Sequence, residues 1–452
     1  MFGTSGIRGP VGEEVTAALA VSVGRAVGVD ADRVVVGRDS RDSGEFLTDA
    51  LTAGLRESGV DVLDAGLVAT PTVARAVGWH GADAGVSVTA SHNPAPDNGF
   101  KLWQPTGQAF DEPMRERIAD RIRGGDGSAT LAAWDGLGCR QSVDPAATHR
   151  DALVDAVESN DVPQSVEPLR VVVDVGNGAG GVTVAALEAL GCSVETLNAQ
   201  PDGSFPGRPS EPTADNCASL ATLVGETDAD LGIAHDGDAD RTRAVTADGD
   251  VLSGDVLLAI LAASAADPGD RVAVPVDTSL AVADHLESVG VDVTRTPVGD
   301  VYVAAAAAEP GVTFGGEPSG AWIWPSETLC PDGPLAACKL AALTARRPLA
   351  ERAAQVATYP IERRSVEVDD KAAVMTRVRE DVETREPPEA VSTLDGVRVD
   401  RGDGWFLLRA SGTQPLVRLT AQARDADRAR DLLSAAAEFL EAARSDRGAR
   451  RE

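Results

Sequence analysis

The chain has 452 residues, enough for several domains that each bury a core, and 43% are hydrophobic, which excludes a disordered polymer. Its 71 acidic against 41 basic residues give a net charge of -30, which repels phosphate backbones and excludes nucleic acid as a partner. An anionic small-molecule substrate would then need a local basic pocket. Lysine appears only at 101, 339 and 371, arginine supplying the other bases, and an acidic, Lys-poor, Ala/Val-rich surface points to adaptation to high salt.

The opening MFGTSGIRGP lacks the apolar core of a secretory leader. The longest apolar run, Val256 to Ala266, is too short to span a bilayer and reads as a core helix. No membrane association is expected. Cys139, Cys192, Cys217, Cys330 and Cys338 show no metal-ligand spacing and read as reduced core thiols of a cytoplasmic protein. The polar tail from Ala442 to Glu452 is expected to be disordered.

Along the chain one phrase recurs: RVVVGRDS from Arg33, RVVVDVGN from Arg170 and RVAVPVDT from Arg271. Each is a buried-strand pattern, then a polar turn, a helical stretch, and a second strand from Gly59, Gly191 or Gly290. Parallel pairing through right-handed crossovers follows. After Pro360 come short alternating runs, VEVDD, DGVRVD, WFLLRAS and LVRLTAQA, then a helical stretch from Ala426 to Ala443. The predicted fold class is α/β: three repeated βαβ-type domains with mixed sheets, and a C-terminal α+β domain. The boundaries give domains 1–145, 146–253, 254–358 and 359–452.

Five loops carry polar groups suited to chemistry. TASHNP sets Ser91 beside His92, without the G-x-S-x-G elbow of a hydrolase; a plain Ser/Asn turn stopped by Pro94 is the alternative. HDGDADR alternates Asp236, Asp238 and Asp240, three hard oxygen donors suited to Mg²⁺ or Ca²⁺, although Arg241 and Ala247 rule out an EF-hand. GGEPSG offers Glu317 and Ser319 to sugar hydroxyls, or is a tight turn. RASGTQPLVR assembles Arg409, Ser411, the amides near Gly412 and Thr413, and Arg418 into a phosphate cradle. FGTSGIRG adds Arg8. Gly176, Gly178 and Gly181 match G-x-G-x-x-G, but this weak dinucleotide signal reads as the polar turn of the second repeat.

In order and spacing the five loops resemble those of the α-D-phosphohexomutase family across nearly the whole chain, and the family's architecture implies four domains around one cleft. The resemblance implies a phosphoserine at Ser91 and Mg²⁺ held by Ser91, Asp236, Asp238 and Asp240. It implies Lys101 as proton carrier helped by Arg8, with His92 orienting the loop. A lysine among cations is expected to have a lowered pKa. Arg241, Glu317, Ser319, Arg409, Ser411, Gly412, Thr413 and Arg418 are the implied substrate contacts. The reaction implied moves a phosphoryl group between the 6- and 1-positions of a hexose phosphate through a sugar 1,6-bisphosphate. The FGTSGIRG and GEPSGAW forms look more like the archaeal phosphoglucosamine mutase branch than phosphomannomutase/phosphoglucomutase; phosphopentomutase is a third possibility. A metal-dependent sugar phosphatase or a phosphosugar-binding protein are the readings from other classes. Two departures stand out: Ala321 where many relatives place an auxiliary histidine, and Gln414 where Glu is common. Oligomeric state is not readable.

Overall fold

The computed structural model describes residues 2–3, 6–124, 131–158, 169–412 and 414–445. The three repeated phrases form the strands Arg33–Arg38, Arg170–Asp174 and Arg271–Pro275, each central in its own sheet. Their Val runs are buried, because β-branched side chains fill both faces of a sheet covered by helices. The helices Gly44–Glu57, Gly181–Ala189 and Leu280–Ser288 cross to parallel strands Asp61–Leu67, Ser193–Leu197 and Asp292–Thr296.

Each repeat then adds a third strand parallel to the central one on its other side: Ala84–Val88, Leu231–His235 and Val312–Gly316. From there the chain turns and comes back antiparallel as Asp97–Trp103, Thr242–Thr246 or Trp322–Ile323. The sheets are therefore mixed, and the turns at 89–96, 236–241 and 317–321 occupy equivalent places. All three lie outside the carboxyl ends of parallel strands, where open α/β sheets bind ligands. The first sheet extends to seven strands by adding Phe2–Gly3 and Gly6–Pro10 beyond Asp97–Trp103, and Arg140–Ser142 at the far edge.

One apolar core is shared by the second and third repeats. Helices Gly254–Ala265 and Gly333–Arg346 fill it with Leu257, Leu258, Leu261, Leu335 and Leu340, all without measurable exposure. At about 1.5 to 3 kcal/mol for each fully buried aliphatic side chain, these helices bind the two repeats into one unit. The C-terminal domain is a five-stranded antiparallel sheet from Ile361–Glu367 to Leu416–Ala423, covered by helices Lys371–Arg385 and Ala426–Ser445. It docks on the third repeat through Val276, Leu280, Trp405 and Leu407, and Gln422 bonds the backbone of Leu280 and the hydroxyl of Ser279.

Two expectations change. Cys217, Cys330 and Cys338 are buried, but Cys139 is exposed and Cys192 half-buried, each immediately before a strand at the edge of its sheet. The last helix runs to Ser445, so residues 442–445 are helical; residues 446–452 lie outside the described part.

Candidate active site

Ser91 stands at the start of the first turn in left-handed backbone, φ 54°, a conformation that costs a side-chain-bearing residue about 1 to 3 kcal/mol unless its surroundings enforce it. They do. Arg41 is fully buried, pairs with Asp39 at 3.1 Å, and donates to the carbonyls of Ser91, Asn93, Pro94 and Asp97 at 2.6 to 2.9 Å. Thr89 bonds the Ser91 amide at 2.8 Å and donates to Asp39 at 2.7 Å. With its carbonyls drawn inward, the turn presents the Ser91 hydroxyl to the next domain, 2.6 Å from Asp236 Oδ2.

Asp236, Asp238 and Asp240 are all buried, with oxygens within 4.8 Å of one another. Thr70 of the first domain donates to Asp238 Oδ2 at 2.7 Å, and Lys101 donates to the same oxygen at 2.8 Å and to Asp240. Asp238 Oδ1 and Asp240 Oδ1 are buried without a hydrogen-bond partner among the described residues. Burial, then repulsion from Asp240 and Asp238, pushes the Asp236 carboxyl well above the carboxylate range. Such a donor set fits a hard divalent cation, which would satisfy the orphaned oxygens and relieve that repulsion.

Lys101 departs from expectation. Burial opposes its charge, and Arg8 does too, yet Asp238 and Asp240 outweigh both and raise the ammonium above the usual lysine range. At neutral pH the ammonium keeps its proton and donates hydrogen bonds to both carboxylates. His92 lies 3.3 Å from the Ser91 hydroxyl. Burial, then the positive charges of Arg241, Arg8 and Lys101, lower its pKa to about 2, so the imidazole is neutral.

A cavity of about 720 Å³ opens in front of Ser91. Arg8, Asp240 and Arg241 line it beside Ser91, and Arg8 Nε is buried without a partner among the described residues. Glu317 and Ser319 face it from the third domain, where Glu317 Oε1 accepts the Gly299 amide at 2.7 Å and Oε2 accepts Ser319 Oγ at 3.2 Å. Burial, then the neighbouring Asp300, raises Glu317 to about 7. Ala321 is also in the wall, bridged to Arg241 as an isolated β-pair.

Arg409 and Gly412 complete the lining from the C-terminal domain. Arg409 is paired with Asp395 at 2.9 Å. Ser411 is buried and its hydroxyl accepts the Gln414 amide at 3.2 Å, so it shapes the loop from within. Thr413 lies outside the described residues. Arg418 is an exposed cross-strand neighbour of Arg409 and is not among the lining residues.

Several participants escaped sequence reasoning. Asp300 and Tyr302 line the cavity from the first turn of helix Asp300–Ala307 and Asp395 from a loop, none of them in a motif, and Lys371 reaches the Ser411 and Gln414 carbonyls from a distant helix start. Arg41 follows the repeated phrase in GRDSR, but nothing in the sequence marks it off from the other arginines. The dinucleotide-like glycines have a structural use. Gly178 packs against the metal-loop backbone, where a Cβ would fall 2.5 Å from the Gly237 carbonyl.

Four family profiles match in order: phosphoglucomutase/phosphomannomutase alpha/beta/alpha domain I over residues 1–128, domain II over 148–249, domain III over 253–359, and the C-terminal domain over 364–439. A probable phosphoglucosamine mutase of Methanopyrus kandleri is 45% identical over 444 residues, 95% of each chain. One of Methanothermobacter thermautotrophicus is 43% identical over 451 residues, 98% of each chain. Among solved structures, a phosphoglucomutase/phosphomannomutase family protein of Burkholderia thailandensis superposes with a TM-score of 0.85 at 30% identity, covering 98% of both chains. With a serine, an acidic triad and arginines converging on one cavity and these likenesses spanning its length, the chain belongs to the phosphoglucomutase/phosphomannomutase family, the α-D-phosphohexomutases, and is an intramolecular phosphotransferase.

Proposed function

We propose that the chain interconverts glucosamine 6-phosphate and glucosamine 1-phosphate through a phosphorylated Ser91 and a sugar 1,6-bisphosphate. The observation that carries the reading is the Ser91 hydroxyl on Asp236 at 2.6 Å, at the mouth of a cavity that also holds Arg8, Arg241, Glu317 and Arg409. The named relatives at 43 to 45% identity support the amino sugar as substrate.

In the first half-reaction the bond between phosphorus and Ser91 Oγ breaks and a bond to the free sugar hydroxyl forms. That hydroxyl loses its proton, and Ser91 Oγ gains one. Lys101, held protonated by Asp238 and Asp240, gives its proton to Ser91 Oγ and takes up the one that the sugar hydroxyl releases, so the half-reaction ends with no proton gained or lost. Arg409 holds the distal phosphate while Glu317 and Ser319 take ring hydroxyls. The second half-reaction runs in reverse on the other phosphate after the bisphosphate has turned round. Mg²⁺ fits the oxygens of Asp236, Asp238 and Asp240 with Ser91, and bound there it neutralises charge on the transferring phosphoryl group.

The charge of -30 and the placement of lysine support a chain built for concentrated salt: Lys101 is buried, and Lys339 and Lys371 are half-buried and bonded to carbonyls, so no lysine lies on the open surface. The test is a set of competing-substrate kcat/KM ratios in ~2 to 4 M KCl, where screening relieves carboxylate repulsion. Glucosamine phosphate is expected to lead, with glucose and mannose phosphates slower by about 10 to 200-fold. A tenfold lead for either of the others overturns the substrate and leaves the mutase chemistry in place, whereas phosphate release without isomer overturns both.

A further inference from the structure

Ser210 has no place in any motif of the sequence, yet it sits where the serine and metal loops meet. It is 3% exposed. Its hydroxyl donates to the Ser91 carbonyl at 2.8 Å and accepts the Gly237 amide, in the middle of the metal loop, at 3.0 Å. One oxygen thus joins the backbone of the first domain's reactive serine to that of the second domain's aspartate triad.

The surroundings fix this oxygen. Arg208, two residues earlier, pairs with Asp174 at 2.6 Å and donates to the carbonyls of His235 and Ser210, so the strand that precedes the triad and the segment that carries Ser210 are held by one guanidinium. On the other side the Phe205 ring lies 5.0 Å from Arg41, the same arginine that grips the Ser91 carbonyl. Gly237 leaves no room for slack, since a Cβ there would fall 2.8 Å from Ser210 Oγ and 2.9 Å from the Ser91 carbonyl. Left-handed backbone at Ser91, Phe205 and Ala239 marks where the chain bends to make this junction.

We infer that Ser210 is a positioning residue for phosphoryl transfer, holding the Ser91 loop and the Asp236–Asp240 loop in register so that Ser91 Oγ stays on the triad. It touches neither substrate nor metal; it acts through the two backbones. A displacement of about 1 Å between reacting groups costs on the order of 100-fold in rate, while sugar-phosphate binding, made largely by Arg409 and Glu317 in other domains, is unaffected.

The inference rests on Ser91 and the triad carrying the chemistry, and Ser91→Ala tests that separately. Ser210→Ala is expected to lower kcat about 10 to 100-fold with KM within about threefold. Two readouts beside turnover go with it: Ser91 phosphorylation by glucose 1,6-bisphosphate, followed by intact mass, slows to the same degree, and Mg²⁺ binding measured by calorimetry weakens. Ser210→Cys replaces the hydroxyl with a larger, weakly bonding thiol, shows the same pattern, and decides the matter if the alanine variant does not fold. Wild-type kcat, phosphorylation rate and Mg²⁺ affinity in the folded variant overturn the inference, as does a defect confined to KM or to melting temperature.

Discussion

The two ends of the cavity are built differently. At the serine end, Ser91, Asp236, Asp238 and Lys101 are buried, and each is tied to a second domain by a hydrogen bond or ion pair. At the cradle end, Arg409 keeps about a quarter of its side chain exposed and Gly412 and Arg418 are open, while the domain docks away from them through an apolar contact, Gln422, Arg398 on the Val276 carbonyl and Arg424 on Asp284. The contrast separates two jobs. Bond making needs fixed atoms in a low dielectric, whereas a phosphate that is first at one end of the sugar and then at the other needs a grip that tolerates either orientation.

The comparison breaks first at Ser91. Ser91→Ala should lose at least ~10⁴-fold in isomerisation because the phosphoryl carrier is gone, with unchanged circular dichroism. Chelation should cost nearly as much, about 10³-fold or more, again without unfolding, since the apolar cores lie outside the triad. An enzyme still turning over in excess chelator would remove the metal from the account.

Two arginines sharpen the contrast. Arg41→Ala removes the guanidinium that pairs with buried Asp39 and bonds four loop carbonyls, and should destabilise the fold by about 3 to 5 kcal/mol in denaturant titration. Arg409→Ala, at the open end, should raise KM about 10 to 100-fold while stability shifts by less than ~0.5 kcal/mol. Equal stability losses at both positions would erase the distinction.

The smallest effect is at Glu317. Its folded pKa, about 7, exceeds the ordinary carboxyl value because of burial, so the wild-type chain loses stability as pH rises from about 4.5 through 7. Glu317→Gln should therefore be more stable by roughly 1 to 3 kcal/mol above pH 7, with the gain vanishing below pH ~4.5. Urea titrations at pH 5 and 8 read this directly. A gain that is the same at both would show that the carboxyl pays no burial penalty.

Much of this could be seen in the sequence, for physical reasons. Strand Arg33–Arg38 and its two counterparts were visible because buried β-branched runs leave a continuous apolar signal, and Ser91, the Asp triad and Glu317 because glycine, proline and clustered polar residues punctuate those runs. That their three loops are equivalent was hidden, because the third strand of each repeat, VSV, GIA or TFG, is too short and varied to announce a repeat. Arg41, Arg208 and Ser210 were hidden because their partners are backbone carbonyls and amides, which no side-chain pattern records. The direction of the Lys101 pKa shift is hidden for a related reason: the cations near it are legible, but the distances to Asp238 and Asp240 that decide it depend on two domains meeting.

Whether Ser91 carries the phosphoryl group between the two ends of the sugar is read by mass spectrometry of the protein after exposure to glucose 1,6-bisphosphate. One added phosphoryl group is expected, located at Ser91 by peptide mapping and discharged by sugar monophosphate with formation of bisphosphate. An unmodified Ser91 in a chain that isomerises sugar phosphate, or full activity in Ser91→Ala, would contradict it.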